Sequence, residues 1–322
     1  MLVAKAPLRI PLGGGGTDFP SYYLSHGGYI LGFALDKYVH VVVHPTNDGV
    51  IHLKYSKAES SEDVDALDNR VAAEALKWFG WNGGVEIATF SDVPESSGLG
   101  GSSAFCVALV KALDLLTLKQ RKRDKPMDRY EVFAAAWDIE RNKAGQPGGM
   151  QDQFFASFGG AWKVELGETF FEERLDDLVG GLLPFLRLVY VADRSQDRSS
   201  FEIARAQRDK TECSDGEMLD NLGKVKEHGK CIEAALAGCN YVHVGRLFHE
   251  HWENKKRRDP SISTGSIDEV YSKCQESGVL GGKLLGLGGG GYLLLFCTNG
   301  FQRYTTMNVG LDRDGAQVVY QS

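Results

Sequence analysis

A chain of 322 residues with a 43% apolar share has enough material for two cores of ordinary size, which excludes a disordered or fibrous protein. Its net charge of -7 excludes a broad nucleic-acid surface, and the basic clusters at 119–125 and 255–258 read as solvated faces. No apolar run approaches the roughly 18 residues of a membrane span, and residues 1–11 lack a signal peptide's apolar stretch. A cytoplasmic protein with no membrane partner is expected. The six cysteines form no Cys-x-x-Cys pair and suggest neither a disulfide framework nor a zinc site.

In chain order, residues 2–11 read as a strand and 29–44 as one or two strands, with 50–55 as their hairpin partner. Residues 65–79 have helical spacing and 85–90 read as a strand. The stretch 102–120 has no internal Gly or Pro and an apolar stripe, so it predicts the clearest helix. Further helices are expected over 128–141 and 150–157, and a strand over 160–166. An apolar strand over 182–192 follows an acidic loop, which places a domain boundary near 167–181. Helices follow at 201–208, 218–237, 241–256 and 266–277, then strands at 283–285, 292–297 and 318–320. The pattern is α+β, without regular βαβ alternation.

Glycine gathers where chemistry is expected. Residues 94–104 read Pro-Glu-Ser-Ser-Gly-Leu-Gly-Gly-Ser-Ser-Ala, between a strand and the strongest helix. Glycines there let consecutive backbone N–H groups face an anion, and the helix start adds unpaired N–H groups and partial positive charge. Ser102 and Ser103 can cap the helix or bind phosphate or Mg²⁺. A glycine-rich turn with a serine cap would look similar, but so many small residues exceed what a cap needs. Glu140 at a helix end and Asp152 just beyond a Pro-Gly-Gly bend supply two carboxylates. Phosphoryl transfer uses one to hold a metal and one to orient or deprotonate the attacking hydroxyl. Arg9 precedes a loop, 13–18, that presents Thr17 and Asp18, residue types suited to sugar hydroxyls and transferred charge. The break at 281–291 is too glycine-rich for a tight turn. Close approach to a ligand or another loop would explain it, and so would a wide bulged turn.

Together these segments resemble the GHMP kinases, the superfamily of galactokinase, homoserine kinase, mevalonate kinase and phosphomevalonate kinase. Residues 94–104 are close to its second motif with one extra small residue, Gly101, and 283–291 resemble its third. Leu287 stands where many members have alanine. Residues 6–23 and 148–153 look most like the sugar-kinase branch acting on heptose phosphate. The resemblance implies ATP and Mg²⁺, phosphorylation of an anomeric hydroxyl, and product used for surface polysaccharide; a homodimer is compatible with it. It implies a two-domain GHMP kinase fold, with an N-terminal domain like the second domain of ribosomal protein S5 (1–180) and a ferredoxin-like C-terminal domain (181–322). The active site would lie in the cleft between them.

By position, Asp152 matches the catalytic aspartate, with Arg9 beside the transferred phosphate. Glu140 and Ser103 match the metal site, although Gly101 shifts the serine pair and leaves Ser102 as the alternative. Pro94, Gly98, Leu99, Gly100, Gly101, Ser102 and Ser103 match the nucleotide loop. Gly15, Gly16, Thr17, Asp18, Gly149, Gly289 and Gly290 match the substrate side. A second phosphate on the sugar would need its own cations. Arg194 and Arg198, in a loop after the apolar strand, are candidates, although a charged surface loop reads the same; Lys37 is a weaker third. Two other readings share the motifs: a kinase of the same family for fucose, galactose or a non-sugar alcohol, and a non-catalytic sugar- or nucleotide-binding regulator. Loss of the acid pair would mark a regulator, and Glu140 and Asp152 are both present.

Overall fold

The computed structural model describes residues 1–118, 121–191, 200–298 and 301–322. The first sheet begins with β1 (Leu2–Gly13), helix α1 (Pro20–His26) and β2 (Gly28–Pro45). β2 is one strand of 18 residues, where the sequence allowed one or two. It faces β1 from Leu2 opposite Val43 to Gly13 opposite Leu31, with shifts after Pro7 and Pro11. Two prolines, which cannot donate to the ladder, account for those shifts.

β3 (Ile51–Lys54) and β4 (Ala58–Ser61) form a hairpin, helix α2 (Arg70–Trp78) follows, and β5 is Val85–Ser91. The expected hairpin between residues 50–55 and β2 is corrected: β3 pairs in parallel with β5, and β5 takes the place beside β2. A crossover through α2 makes a parallel neighbour reachable, which sequence adjacency does not reveal. Helices α3 (Gly101–Thr117), α4 (Arg129–Trp137) and α5 (Gln151–Phe158) come next, then β6 (Ala161–Leu166), β7 (Phe170–Arg174) and α6 (Asp176–Gly180). β6 pairs with the N-terminal half of β2 and β5 with its C-terminal half.

β8 (Leu186–Val191) opens the second sheet. Helices α7 (Ser200–Glu212), α8 (Gly216–Ala237), α9 (Tyr241–Lys256) and α10 (Gly265–Glu276) precede β9 (Val279–Leu284), β10 (Gly291–Cys297) and β11 (Thr306–Asn308). The order is β11-β8-β10-β9, all antiparallel. The last strand, β12 (Gln317–Gln321), returns to the first sheet and pairs with β1. Burial along β1 alternates at its start and is continuous from Ala6 to Ile10, because helices cover both faces there. That doubly covered stretch delivers Arg9. No described helix is long and apolar enough to cross a membrane.

Candidate active site

A cleft of about 740 Å³ opens between the two sheets, lined from β1, α3 and α5 on one side and α9 and β9 on the other. Its floor is the glycine loop before α3. Gly100 takes a left-handed φ of 81° at the helix N-cap and offers no side-chain cap. The first N–H groups of α3 therefore lack intrahelical acceptors and side-chain partners at the cap. The serines do not cap the helix. Ser102 Oγ donates to Glu140 Oε1 at 3.1 Å and Ser103 Oγ to Glu140 Oε2 at 2.7 Å.

Glu140 sits in a π-helical turn, Asp138–Lys143, that continues α4. Such turns widen the helix locally and often mark functional sites. Glu140 is 2% exposed, and Gln153 Nε2 also donates to it at 2.6 Å. Arg141 approaches within 3.7 Å and donates from Nε to the Gly149 carbonyl at 3.1 Å, pinning the bend at 146–149. Among the described residues no cluster of three or more His, Cys, Asp or Glu side chains could hold a metal. One carboxylate with two hydroxyls nevertheless fits Mg²⁺, which takes one or two protein carboxylates and completes its shell from phosphates and water.

Asp152 lies in the first turn of α5. Arg9 grips it bidentately, Nε to Oδ1 at 2.7 Å and Nη2 to Oδ2 at 2.8 Å, while Nη1 donates to the Gly98 carbonyl at 2.6 Å. The Asp152 side chain remains 19% exposed against 6% for Arg9, so the carboxylate faces the cleft and the arginine backs it. Asp18 is buried and accepts from the N–H groups of Gly16 and Gln151, both at 3.0 Å. Burial, reinforced by the nearby charge of Asp152, pushes its pKa up despite the donors.

The glycines at 286 and 291 make the close approach to another loop that the sequence allowed. A Cβ on Gly286 would lie 2.7 Å from the Gly98 Cα, and Tyr292 N–H donates to the Ser97 carbonyl at 3.0 Å. The second sheet is thus pressed against the nucleotide loop.

The sequence candidates do not all reach the cleft wall. Leu99 is fully buried; its carbonyl accepts the Arg9 N–H at 3.0 Å, so its side chain is core. Thr17 is also fully buried, and its hydroxyl ties the Gly14 and Tyr29 backbones together at 2.8 and 2.9 Å. Gly289 and Gly290 do not line the cleft; Gly286 and Leu287 do, because the glycine segment turns away and Gly289 N–H bonds Ile262. Lys37 lies away from the cleft, beside Asp36. Arg194 and Arg198 fall outside the described residues. Pro94, Gly98, Gly100, Gly101, Ser102, Ser103, Gly15, Gly16, Asp18 and Gly149 all line the cleft.

The basic cluster at 255–258 is not a uniformly solvated face. Lys255 and Arg258 are 7% and 8% exposed and line the cleft, together with Lys283 and His251. The helical period of α9 was the available signal: Lys255 continues the buried series Val244, Phe248, His251 and Trp252.

Residues 67–160 match the GHMP kinases N terminal domain family, a span containing the glycine loop, Glu140 and Asp152. The chain is 27% identical over 316 residues to D-glycero-alpha-D-manno-heptose 7-phosphate kinase of Campylobacter jejuni, covering 91% of this chain and 88% of that protein. It is 24% identical to a galactokinase of Pyrococcus furiosus over 90% of this chain and 87% of that one. A crystal structure of a D-glycero-D-manno-heptose 1-phosphate kinase from Bacteroides thetaiotaomicron superposes over the full length of both chains with a TM-score of 0.74 at 23% identity. A mevalonate kinase structure covers 98% of this chain and 100% of its own with a TM-score of 0.71 at 16% identity. Residues 67–160 thus carry a GHMP kinases N terminal domain, the chain has the two-domain α+β fold of those kinases, and it is an ATP-dependent phosphotransferase with an alcohol group as acceptor.

Proposed function

We propose that this chain phosphorylates the anomeric hydroxyl of D-glycero-D-manno-heptose 7-phosphate at the expense of ATP, giving the 1,7-bisphosphate for nucleotide-activated heptose and surface polysaccharide, in the cytoplasm. The carrying observation is that the cleft joins a helix-start loop, a buried carboxylate held by two loop hydroxyls, and a second carboxylate clamped by an arginine. The similarity to the Campylobacter jejuni kinase supports the choice of sugar. The division at 180/181 puts the nucleotide loop and both acids in the first domain, with β12 returning to it.

In this reading the phosphates of ATP lie against the N–H groups of residues 98–103. The anomeric oxygen attacks the γ-phosphorus, the bond to the β,γ-bridging oxygen breaks, and ADP leaves. Asp152 orients the hydroxyl and takes its proton as the new bond forms. Arg9 holds that carboxylate in one orientation from behind and adds positive charge where negative charge spreads over the transferring group. Glu140, Ser102 and Ser103 would hold Mg²⁺, which when bound offsets charge on the β- and γ-phosphates.

A panel of sugars and sugar phosphates assayed by ADP release tests this. Heptose 7-phosphate should give the highest kcat/KM, with product phosphorylated at the anomeric carbon. Preference for free fucose or galactose would overturn the proposal in favour of another sugar kinase of the family.

A further inference from the structure

The cleft contains more buried positive charge than its acids balance. Lys255 Nζ donates to the carbonyls of Leu284 at 2.9 Å and Gly286 at 2.6 Å. Lys283 Nζ donates to the Leu12 carbonyl at 2.6 Å and meets His251 Nδ1 at 3.0 Å. Arg258 donates from Nε to Asn221 Oδ1 at 3.1 Å and from Nη1 to Gln207 Oε1 at 2.8 Å, while its buried Nη2 has no partner among the described residues. Every one of these acceptors is neutral. Among the described residues no carboxylate lies within 4 Å of any of the three cations.

Such an arrangement is costly in isolation. Burying an ion costs several kcal/mol even after relaxation, and like charges add to it. Burial first, then the neighbouring cations, depress Lys255 to about 7 and push Lys283 and His251 down. Burial brings Arg258 to about 10, against the pull of Asp18. An anion that enters offsets the charge of all four groups at once.

The cluster also has a position. Arg258 Nη1 would lie 2.9 Å from a Cβ on Gly16, and Gln207 Nε2 donates to the Gly16 carbonyl at 3.0 Å. Gly16 and Asp18 line the same cleft as the nucleotide loop, and the proposed function puts them on the acceptor side. Lys255, through Gly286, borders the loop at Gly98. We propose that Arg258 and Lys255, with Lys283 behind them, bind the phosphate that the sugar acceptor itself carries, and so make the enzyme select a phosphorylated acceptor.

This rests on the reading of the protein as a sugar-phosphate kinase, and the test separates the two. Wild-type, Arg258→Gln, Arg258→Lys and Lys255→Gln proteins are assayed with ATP against heptose 7-phosphate and free heptose, with melting temperatures recorded. Loss of one or two charge-assisted hydrogen bonds should raise KM for the sugar phosphate about 10- to 100-fold. KM for free heptose and for ATP should move less than about threefold, and Arg258→Lys should recover part of the loss. The melting temperatures show whether a variant's loss comes from the anion site or from the lost bonds to Leu284, Gly286, Asn221 and Gln207. Should they fail to fold, calorimetric titration of wild type with heptose 7-phosphate, with and without competing inorganic phosphate, replaces them. Competition supports the pocket and its absence overturns it. A rise in KM for ATP alone would assign the cluster to the nucleotide and overturn the proposal. Unchanged KM for the sugar phosphate in all variants would do the same while leaving the kinase reading intact. A wild-type enzyme that prefers free sugar would remove that reading itself.

Discussion

Asp152→Asn is the sharpest test of the catalytic arrangement. The substitution keeps one acceptor for Arg9 and turns the other oxygen into an amide donor facing a guanidinium. One of two charge-assisted hydrogen bonds, now 2.7 and 2.8 Å long, is lost. Such a bond is worth about 1.5–3 kcal/mol. Arg9 keeps its bond to the Gly98 carbonyl, and Asp152 is 19% exposed, so the lower end applies. For a chain of this size that corresponds to a fall in melting temperature of a few degrees at most, on the scale of roughly 2–4 °C per kcal/mol. The catalytic cost is larger. A carboxylate placed to take the hydroxyl proton contributes about 10²–10⁴ in rate, or roughly 3–5 kcal/mol of barrier. Turnover measured by ADP release should fall by that factor. ATP affinity by calorimetry should change little, because residues 98–103 keep their backbone bonds. A variant that retains kcat within about threefold of wild type would show that Asp152 serves only as the counter-ion of Arg9.

Glu140→Gln should raise the Mg²⁺ concentration needed for half-maximal activity at least tenfold, measured as rate against free Mg²⁺. Ser103→Ala should cost more activity than Ser102→Ala, because Ser103 is 2% exposed and makes the shorter bond to Glu140; equal losses would sink that ranking. Gly98→Ala should lower both melting temperature and ATP affinity, since Gly98 holds φ at 76° and a Cβ would lie 2.6 Å from the Leu285 carbonyl oxygen. Gly101→Ala, by contrast, places its Cβ where no other group lies within 4 Å. At the start of α3 it should leave the melting temperature unchanged or raise it slightly, and a drop of several degrees would contradict the loop geometry.

Much of the first sheet was legible because its strands are long, β-branched and bounded by turns, and α3 because its apolar stripe is unbroken. Partners in space were less so. Residues 50–55 are clearly a strand, but only the crossover through α2 decides that they lie parallel to β5. The acids announced themselves through their setting, Glu140 at a helix end and Asp152 beyond a Pro-Gly-Gly bend. What the sequence did not show is what holds them: the bidentate grip of Arg9 spans 143 positions, and Gln153 reaches Glu140 from another helix. Leu99 and Thr17 mislead for the opposite reason. They sit inside motifs, yet the backbone around them turns their side chains into the protein.

The buried cations show where composition is least informative. Lys255, Lys256, Arg257 and Arg258 read as one solvated run, since a charge costs little in water and four in succession suggest exposure. The helix separates them. Lys256 turns outward to ion pairs with Glu253 and Asp268, at 2.8 and 3.5 Å, while Lys255 turns inward to two carbonyls. Because Lys255 is depressed to about 7, an anion binding there should restore its proton. Binding of the sugar phosphate at pH 8 should therefore take up protons, with close to one of them on Lys255, seen as a heat that varies with the ionisation enthalpy of the buffer. At pH 6, where Lys255 is already charged, that dependence on Lys255 should vanish. Charged and titratable groups facing Lys255 are Arg258, Arg9, Lys283 and His251, and Lys255→Gln isolates its share from theirs. Equal proton uptake in wild type and Lys255→Gln at pH 8 would mean that the anion meets another titrating group.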